Sequence, residues 1–164
     1  MRFKGMALMA SVMVLGACGG EKAAETTTTT TTTPAATTPA PAATSSAAPI
    51  TGTIHEVAMV GDDKGMRYEP ANITVKAGDG IKFTTKSLGP HNVAFDPAKI
   101  PADVKAQLDA NFGTDKLGEL SSGLKMNPGE SFTLSLGGIK AGTYEFNCTP
   151  HLAMNMKGTI TVTP

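Results

Sequence analysis

The sequence has no tryptophan, two tyrosines and two cysteines, and only 5% of its 164 residues are aromatic. Two cysteines are too few for a disulfide scaffold. No sign of charge dominates, since 14 Lys+Arg face 14 Asp+Glu. Without clustered Lys or Arg there is no basic face to neutralise phosphates, which argues against a nucleic-acid binder. No apolar run reaches the about 20 residues that a membrane-spanning helix needs. No Ser/His/Asp set, phosphate loop or paired-carboxylate site stands out. Against these absences stand nine methionines and three histidines, and their placement matters more than their number. The length allows one domain with an appendage.

The first residues read as an address. Arg2 and Lys4 supply a positive start, and Gly5 to Ala17 carry no charge and are rich in Met, Leu and Val. That pattern fits the apolar region of a secretory signal. The run ends Leu15-Gly16-Ala17-Cys18, which resembles the bacterial lipobox, and that resemblance implies a lipid on Cys18 as the first mature residue. Residues 1–17 are therefore expected to be a lipoprotein signal peptide. Their removal takes Arg2 and Lys4 and leaves a mature charge of −2. Gly19 after the lipid cysteine permits outer-membrane sorting where an outer membrane exists.

Residues 18–53 are Thr, Ala, Pro and Ser with almost nothing large, including an unbroken threonine run from Thr26 to Thr33. Such a segment has no apolar face to bury and is expected to be a disordered tether. As a flexible coil of about 35 residues it reaches roughly 30 Å. A plain spacer is favoured over a stalk carrying O-linked sugar.

From Ile54 to Pro164 short alternating runs appear between Gly, Pro, Asn and Asp. Ile73 and Val75, Ile81 and Phe83, His91, Val93 and Phe95, Phe132, Leu134 and Leu136, Tyr144, Phe146 and Cys148, and Ile160 and Val162 each share a face. Six or seven such strands predict an all-β antiparallel sandwich. One helix is expected after Pro101, where Val104, Leu108 and Phe112 recur every four residues. A domain of about 110 residues holds one core.

The chemistry gathers at Cys148. With Cys18 committed to lipid, Cys148 is a lone thiol in an exported protein, and alternation points it inward. It opens the run Cys148-Thr149-Pro150-His151-Leu152-Ala153-Met154-Asn155-Met156. A thiolate, an imidazole and a thioether thus lie on one turn at a strand end, and His91 faces inward from another strand. Zinc favours four Cys/His ligands, or three plus water. Two imidazoles, one thiolate and a long axial thioether are instead the pattern of electron-transfer copper.

Three segments carry a family likeness: Tyr68-Glu69-Pro70-Ala71-Asn72-Ile73-Thr74-Val75-Lys76-Ala77-Gly78-Asp79, Gly89-Pro90-His91-Asn92-Val93-Ala94-Phe95-Asp96, and Gly142 to His151 continuing through Met156-Lys157-Gly158. They resemble the small blue copper proteins of the plastocyanin/pseudoazurin family, the cupredoxins. The resemblance implies a Greek-key β-sandwich with one short helix in a long loop, and a single type 1 copper ion. It makes His91, Cys148 and His151 ligands and Met156 the weak axial ligand, with Met154 the rival for that place. Asn92, together with Thr149 and Pro150, would steady the ligand loops. Gly89, Pro90, Leu152, Ala153 and Met154 would ring the exposed edge of His151 as a docking rim. The likeness is imperfect. Asn147 stands where photosynthetic members usually carry Tyr, and no acidic cluster is evident near it. There is no helical extension of the pseudoazurin kind, and the Cys-to-His spacing is shorter than in azurin-type loops.

The expected function is one-electron transfer by copper cycling between Cu(I) and Cu(II), with no enzymatic activity. Partners of the kind implied are a c-type cytochrome, a cytochrome complex, an oxidase or a photosynthetic reaction centre, met by a monomer on a membrane facing the periplasm or cell exterior. The alternative is a periplasmic copper chaperone or store, which clustered surface Met and His would favour. A hydrolase using Cys148 ranks last, for want of a cleft or oxyanion site. His55 is expected on a strand surface, Met59, Met66 and Met126 as core or rim filler, and the charges from Lys99 to Glu119 on a solvated helix face.

Overall fold

The computed structural model describes residues 46–164. The signal, Cys18 and the threonine run lie outside the described residues. In chain order the strands are β1 (Ile54–Asp62), β2 (Gly65–Glu69), β3 (Asn72–Lys76), β4 (Gly80–Thr85) and β5 (Ala94–Phe95), followed by helix α1 (Ala102–Ala110). Then come β6 (Lys116–Gly118), β7 (Ser121–Ser122), β8 (Ser131–Ser135), β9 (Gly142–Asn147), a 3-10 turn at Thr149–Met154, and β10 (Lys157–Thr163). They form a four-stranded sheet, β2-β1-β4-β8, and a six-stranded sheet, β3-β10-β9-β5-β7-β6. The fold is an all-β Greek-key sandwich with one short helix.

Most neighbouring strands are antiparallel, but β1 pairs with β4, and β3 with β10, in parallel. Alternation of apolar residues reports which face is buried. It carries no information on a neighbour's direction, so these two pairs were invisible in the sequence. The short strands β6 and β7 were equally hidden, because two or three residues hold no period, whereas β5 falls within the expected run of His91, Val93 and Phe95.

The predicted faces meet in the core. Ile81, Phe83, Phe132 and Leu134 come from one sheet, where Val57 and Tyr68 join them, and Val75, Tyr144, Phe146, Ile160 and Val162 from the other; all are buried. Three aromatic rings join the sheets: Phe146 lies 4.7 Å from Tyr68 and 5.5 Å from Phe83, edge to face. Each such side chain stabilises the fold by about 1.5–3 kcal/mol through burial. Helix α1 begins after Pro101, which cannot donate a backbone N–H and suits a helix start. It buries Val104 and Leu108, with Phe112 just beyond its end.

The folded unit starts earlier than Ile54, the boundary expected from composition. Residues 46–53 form a strap across one end of the sandwich. Thr51 and Gly52 donate to Gly78 O at 2.9 and 3.0 Å, and Thr53 N–H donates to Asp79 Oδ1 at 2.9 Å. Ala48 N–H donates to Asn111 Oδ1 at 2.9 Å, while Asn111 Nδ2 donates to the carbonyls of Ser135 and Gly137. Ile50 packs against Gly80, where an added Cβ would stand 2.5 Å from Ile50 Cδ1. Small and polar residues looked like spacer because their anchors are backbone groups, which composition does not reveal.

Candidate metal centre

Cys148 follows the last residue of β9, and the alternation that buries Tyr144 and Phe146 also buries Cys148. The chain then turns through Thr149–Met154, with Pro150 in the first turn to pre-set the backbone. Asn155 adopts a left-handed conformation, φ 60° and ψ 30°, which Asn tolerates better than most side chains. It returns the chain so that Met156 comes back beside Cys148. Four backbone bonds close the loop: His151 N to Cys148 O at 3.0 Å, Met156 N to His151 O at 3.2 Å, Cys148 N to Met156 O at 3.0 Å, and Asn155 N to Leu152 O at 3.0 Å.

His91 arrives on the segment that crosses from β4 in one sheet to β5 in the other. Its backbone bridges to Lys125 in both directions, at 2.9 and 2.7 Å. Its ring lies 4.9 Å from that of His151. Cys148 Sγ is 3.4 Å from His151 Nδ1. One ligand atom from each of His91, Cys148 and His151 lies within 4.8 Å of the others, and all three residues are buried.

The donor set passes a direct test for a metal ion. His91 Nδ1 is buried with no hydrogen-bond partner. The Thr85 hydroxyl is the other such atom among the described residues. An orphaned buried nitrogen is costly unless something occupies its lone pair. An ion bonded at about 2.0–2.3 Å to nitrogen and sulfur fills a gap of this size. Burial, and next the neighbouring His151, lower the His91 pKa below its usual value, so the ring is neutral and able to ligate. Burial pushes the Cys148 thiol up, against the opposing pull of the Asn92 and His151 backbone N–H groups. Metal binding therefore releases a proton from sulfur.

Around these three the structure places the other expected residues. Met156 is fully buried at the end of the ligand loop, whereas Met154 is 63% exposed on its outside. Asn92 is fully buried and joins the two loops: Thr149 N–H donates to its Oδ1 at 2.8 Å, and its Nδ2 donates to the hydroxyls of Ser121 at 3.1 Å and Thr149 at 3.3 Å. Leu152 and Ala153 are exposed, and Gly89 and Pro90 half-buried. Leu88, 74% exposed beside Gly89, joins this rim and was missed; an isolated leucine before Gly-Pro carries no periodic signal. Met126 is exposed on the same side, its carbonyl accepting Gly89 N–H at 3.1 Å.

Two further partners were missed. Ser87 Oγ is 3.1 Å from His91 Nε2. The buried Tyr68 hydroxyl donates to Asn92 O at 2.6 Å. Asn147 sits half-buried at the end of β9, and the adjoining Glu145 is paired with Lys99 at 2.8 Å. His55, on β1, is 2.8 Å from Asp79 at the opposite end of β4 from His91.

Comparisons with known proteins agree with this donor set. The sequence model for copper binding proteins of the plastocyanin/azurin family matches residues 55–163. A plastocyanin of Prochlorothrix hollandica is 38% identical over 117 residues, covering 71% of this chain and 79% of that protein. Plastocyanin B'/B'' of Nicotiana tabacum is 37% identical over 107 residues, covering 65% and 98%. Among solved structures, the oxidised plastocyanin of Dryopteris crassirhizoma superposes with a TM-score of 0.51 at 38% identity, covering 66% of this chain and 99% of that one. Two imidazoles and a thiolate, buried together and leaving one nitrogen unpartnered, are suited to one type 1 copper ion. By its sequence, its sandwich and this centre, the chain belongs to the plastocyanin/azurin family of copper-binding proteins.

Proposed function

We propose that the protein is an exported one-electron carrier, attached to a membrane through lipid on Cys18, that meets its redox partners at the apolar rim beside His151. The observation that supports this best is the buried His91–Cys148–His151 set, carried on the same two loops as exposed Leu88, Leu152 and Met154. A bound copper ion supplies a one-electron couple between Cu(I) and Cu(II). His91, Cys148 and His151 would hold it, with Met156 as a weaker fourth donor.

The chain's own part is to keep those donors still and dry. The hydrogen-bonded ligand loop and the Asn92 ties hold the donors in one arrangement, so little rearrangement accompanies a change of charge. Burial excludes water from the Cys148 sulfur and from the His91 ring. His151, 7% exposed, is the ligand nearest the rim and the shortest exit for an electron. A small apolar patch suits weak, brief docking with a c-type cytochrome, a cytochrome complex, an oxidase or a photosynthetic reaction centre. Among the described residues no helix is long and apolar enough to cross a membrane.

The visible spectrum after Cu(II) loading tests the reading. An intense thiolate-to-copper band is expected, and Cys148→Ser is expected to abolish it. A colourless protein with stoichiometric zinc would sink the proposal. A coloured protein that hands over its copper, but exchanges no electrons with a cytochrome, would favour the chaperone alternative. Mass spectrometry lacking acyl chains on Cys18 would remove the anchor.

A further inference from the structure

Ser87 stands in the loop after β4, four residues before His91, with its Oγ 3.1 Å from His91 Nε2. His91 is fully buried, so no solvent can replace that partner. A neutral imidazole carries one N–H, and a ligating nitrogen must present its lone pair. With Nδ1 unpartnered and Nε2 on Ser87, the ligand form is the one protonated at Nε2.

The serine is itself held in place. Lys86 N–H donates to Met59 O at 2.9 Å, tying the start of the loop to β1. Gly61, also in β1, lacks a side chain where a Cβ would stand 3.1 Å from Ser87 Oγ and 2.6 Å from Met66 Sδ. The four-stranded sheet thus backs the hydroxyl directly, and a Cβ at residue 61 would press on it by a few tenths of an ångström. The chain Gly61–Ser87–His91 connects the four-stranded sheet to a ligand.

We propose that Ser87 is a positioning residue of the metal centre: its hydroxyl accepts the Nε2–H of His91 and fixes the ring's tautomer and orientation, leaving Nδ1 free for the ion. A hydroxyl both donates and accepts. Facing the Nε2–H it accepts, and this arrangement leaves the Nδ1 lone pair to the ion. The proposal rests on His91 being a ligand.

The test uses the full chain loaded with Cu(I), whose diamagnetism allows NMR of the imidazole nitrogens. A slowly exchanging Nε2–H on His91 is expected. Ser87→Ala should speed that exchange, shift the reduction potential and weaken Cu(I) affinity by about 10–100-fold, the range typical for partners of metal ligands. Ser87→Thr, which keeps a hydroxyl, should restore all three. Exchange unchanged in Ser87→Ala, with affinity within about twofold of wild type, overturns the proposal. Should Ser87→Ala not fold, Gly61→Ala, which presses on the same hydroxyl, is expected to disturb the His91 signals, and their constancy overturns the proposal equally. His91 ring signals identical in metal-free and Cu(I)-loaded wild type would instead remove His91 from the ligand set, a separate failure.

Discussion

At the residue scale, the metal centre is held by side chains that never touch the ion. Asn92 accepts from the Thr149 backbone and donates to two hydroxyls, so one amide fixes the distance between the His91 and Cys148 loops. The Cys148, His151 and Met156 spacing was legible because all three lie on one turn. Asn92 was legible through its place next to His91. Ser87, Ser121 and Tyr68 were not, since each reaches the centre from a different element and hydroxyl-bearing residues are common everywhere. The two methionines make a test at this scale. Met156, buried behind the loop, and Met154, exposed on it, should respond differently to substitution. If Met156 is the weak fourth donor, as proposed, its loss withdraws electron density that the more highly charged Cu(II) needs more than Cu(I), and the weak donor is what tunes the potential of such sites. Met156→Leu is therefore expected to raise the reduction potential while the protein stays coloured, and Met154→Leu to leave it unchanged. Potentiometry on both variants checks this, and a shift from Met154→Leu alone would exchange their roles.

At the scale of elements, alternation announced the inward faces of β4, β8, β9 and β10, and a four-residue apolar spacing announced α1. It could not announce the strap at 46–53, which docks through backbone amides onto Asn111, Gly78 and Asp79. Asp79 is the central anchor of that end. Its carboxylate, 6% exposed as a residue, accepts from the backbone of Lys76 and Thr53 and is paired with the His55 ring. Those bonds, with Lys76 N–H the strongest influence and the His55 ring next, lower its pKa from the usual 3.8 to about 2. A carboxylate with a depressed folded-state pKa stabilises the fold above its unfolded value and loses that contribution as pH falls through the folded one. The stabilisation is thus complete above about pH 4 and fades towards pH 2. Asp79→Asn is expected to lower stability at neutral pH and to flatten the loss between pH 4 and pH 2. Denaturant melts of both proteins across that window provide the check; parallel curves would contradict it.

At the scale of the whole molecule, charge is nearly balanced: the described residues 46–164 carry one net negative charge. Several acidic side chains are spent on nearby cations, as in Lys99–Glu145, Lys105–Glu119, Lys116–Asp109 and Lys140–Asp103. The rim residues Leu88, Gly89, Pro90, Leu152, Ala153 and Met154 carry none. Long-range steering therefore has little to act upon. Electron exchange between oxidised and reduced copies, read from NMR line widths, is expected to change by less than about threefold as ionic strength rises from roughly 0.02 to 0.5 M. A steep fall with salt would place the contact on a charged face instead.

The strap also decides how the molecule would answer to a pull. It ends on the turn between β3 and β4, while His91 follows the far end of β4, and six extended residues separate the two by about 20 Å. Force applied through the residues before Ser46 enters at the pole remote from His151. Were the chain held by lipid on Cys18, as proposed, the pull would thus reach the sandwich at the end away from the rim of Leu88, Leu152 and Met154, and that rim would stay open to a partner.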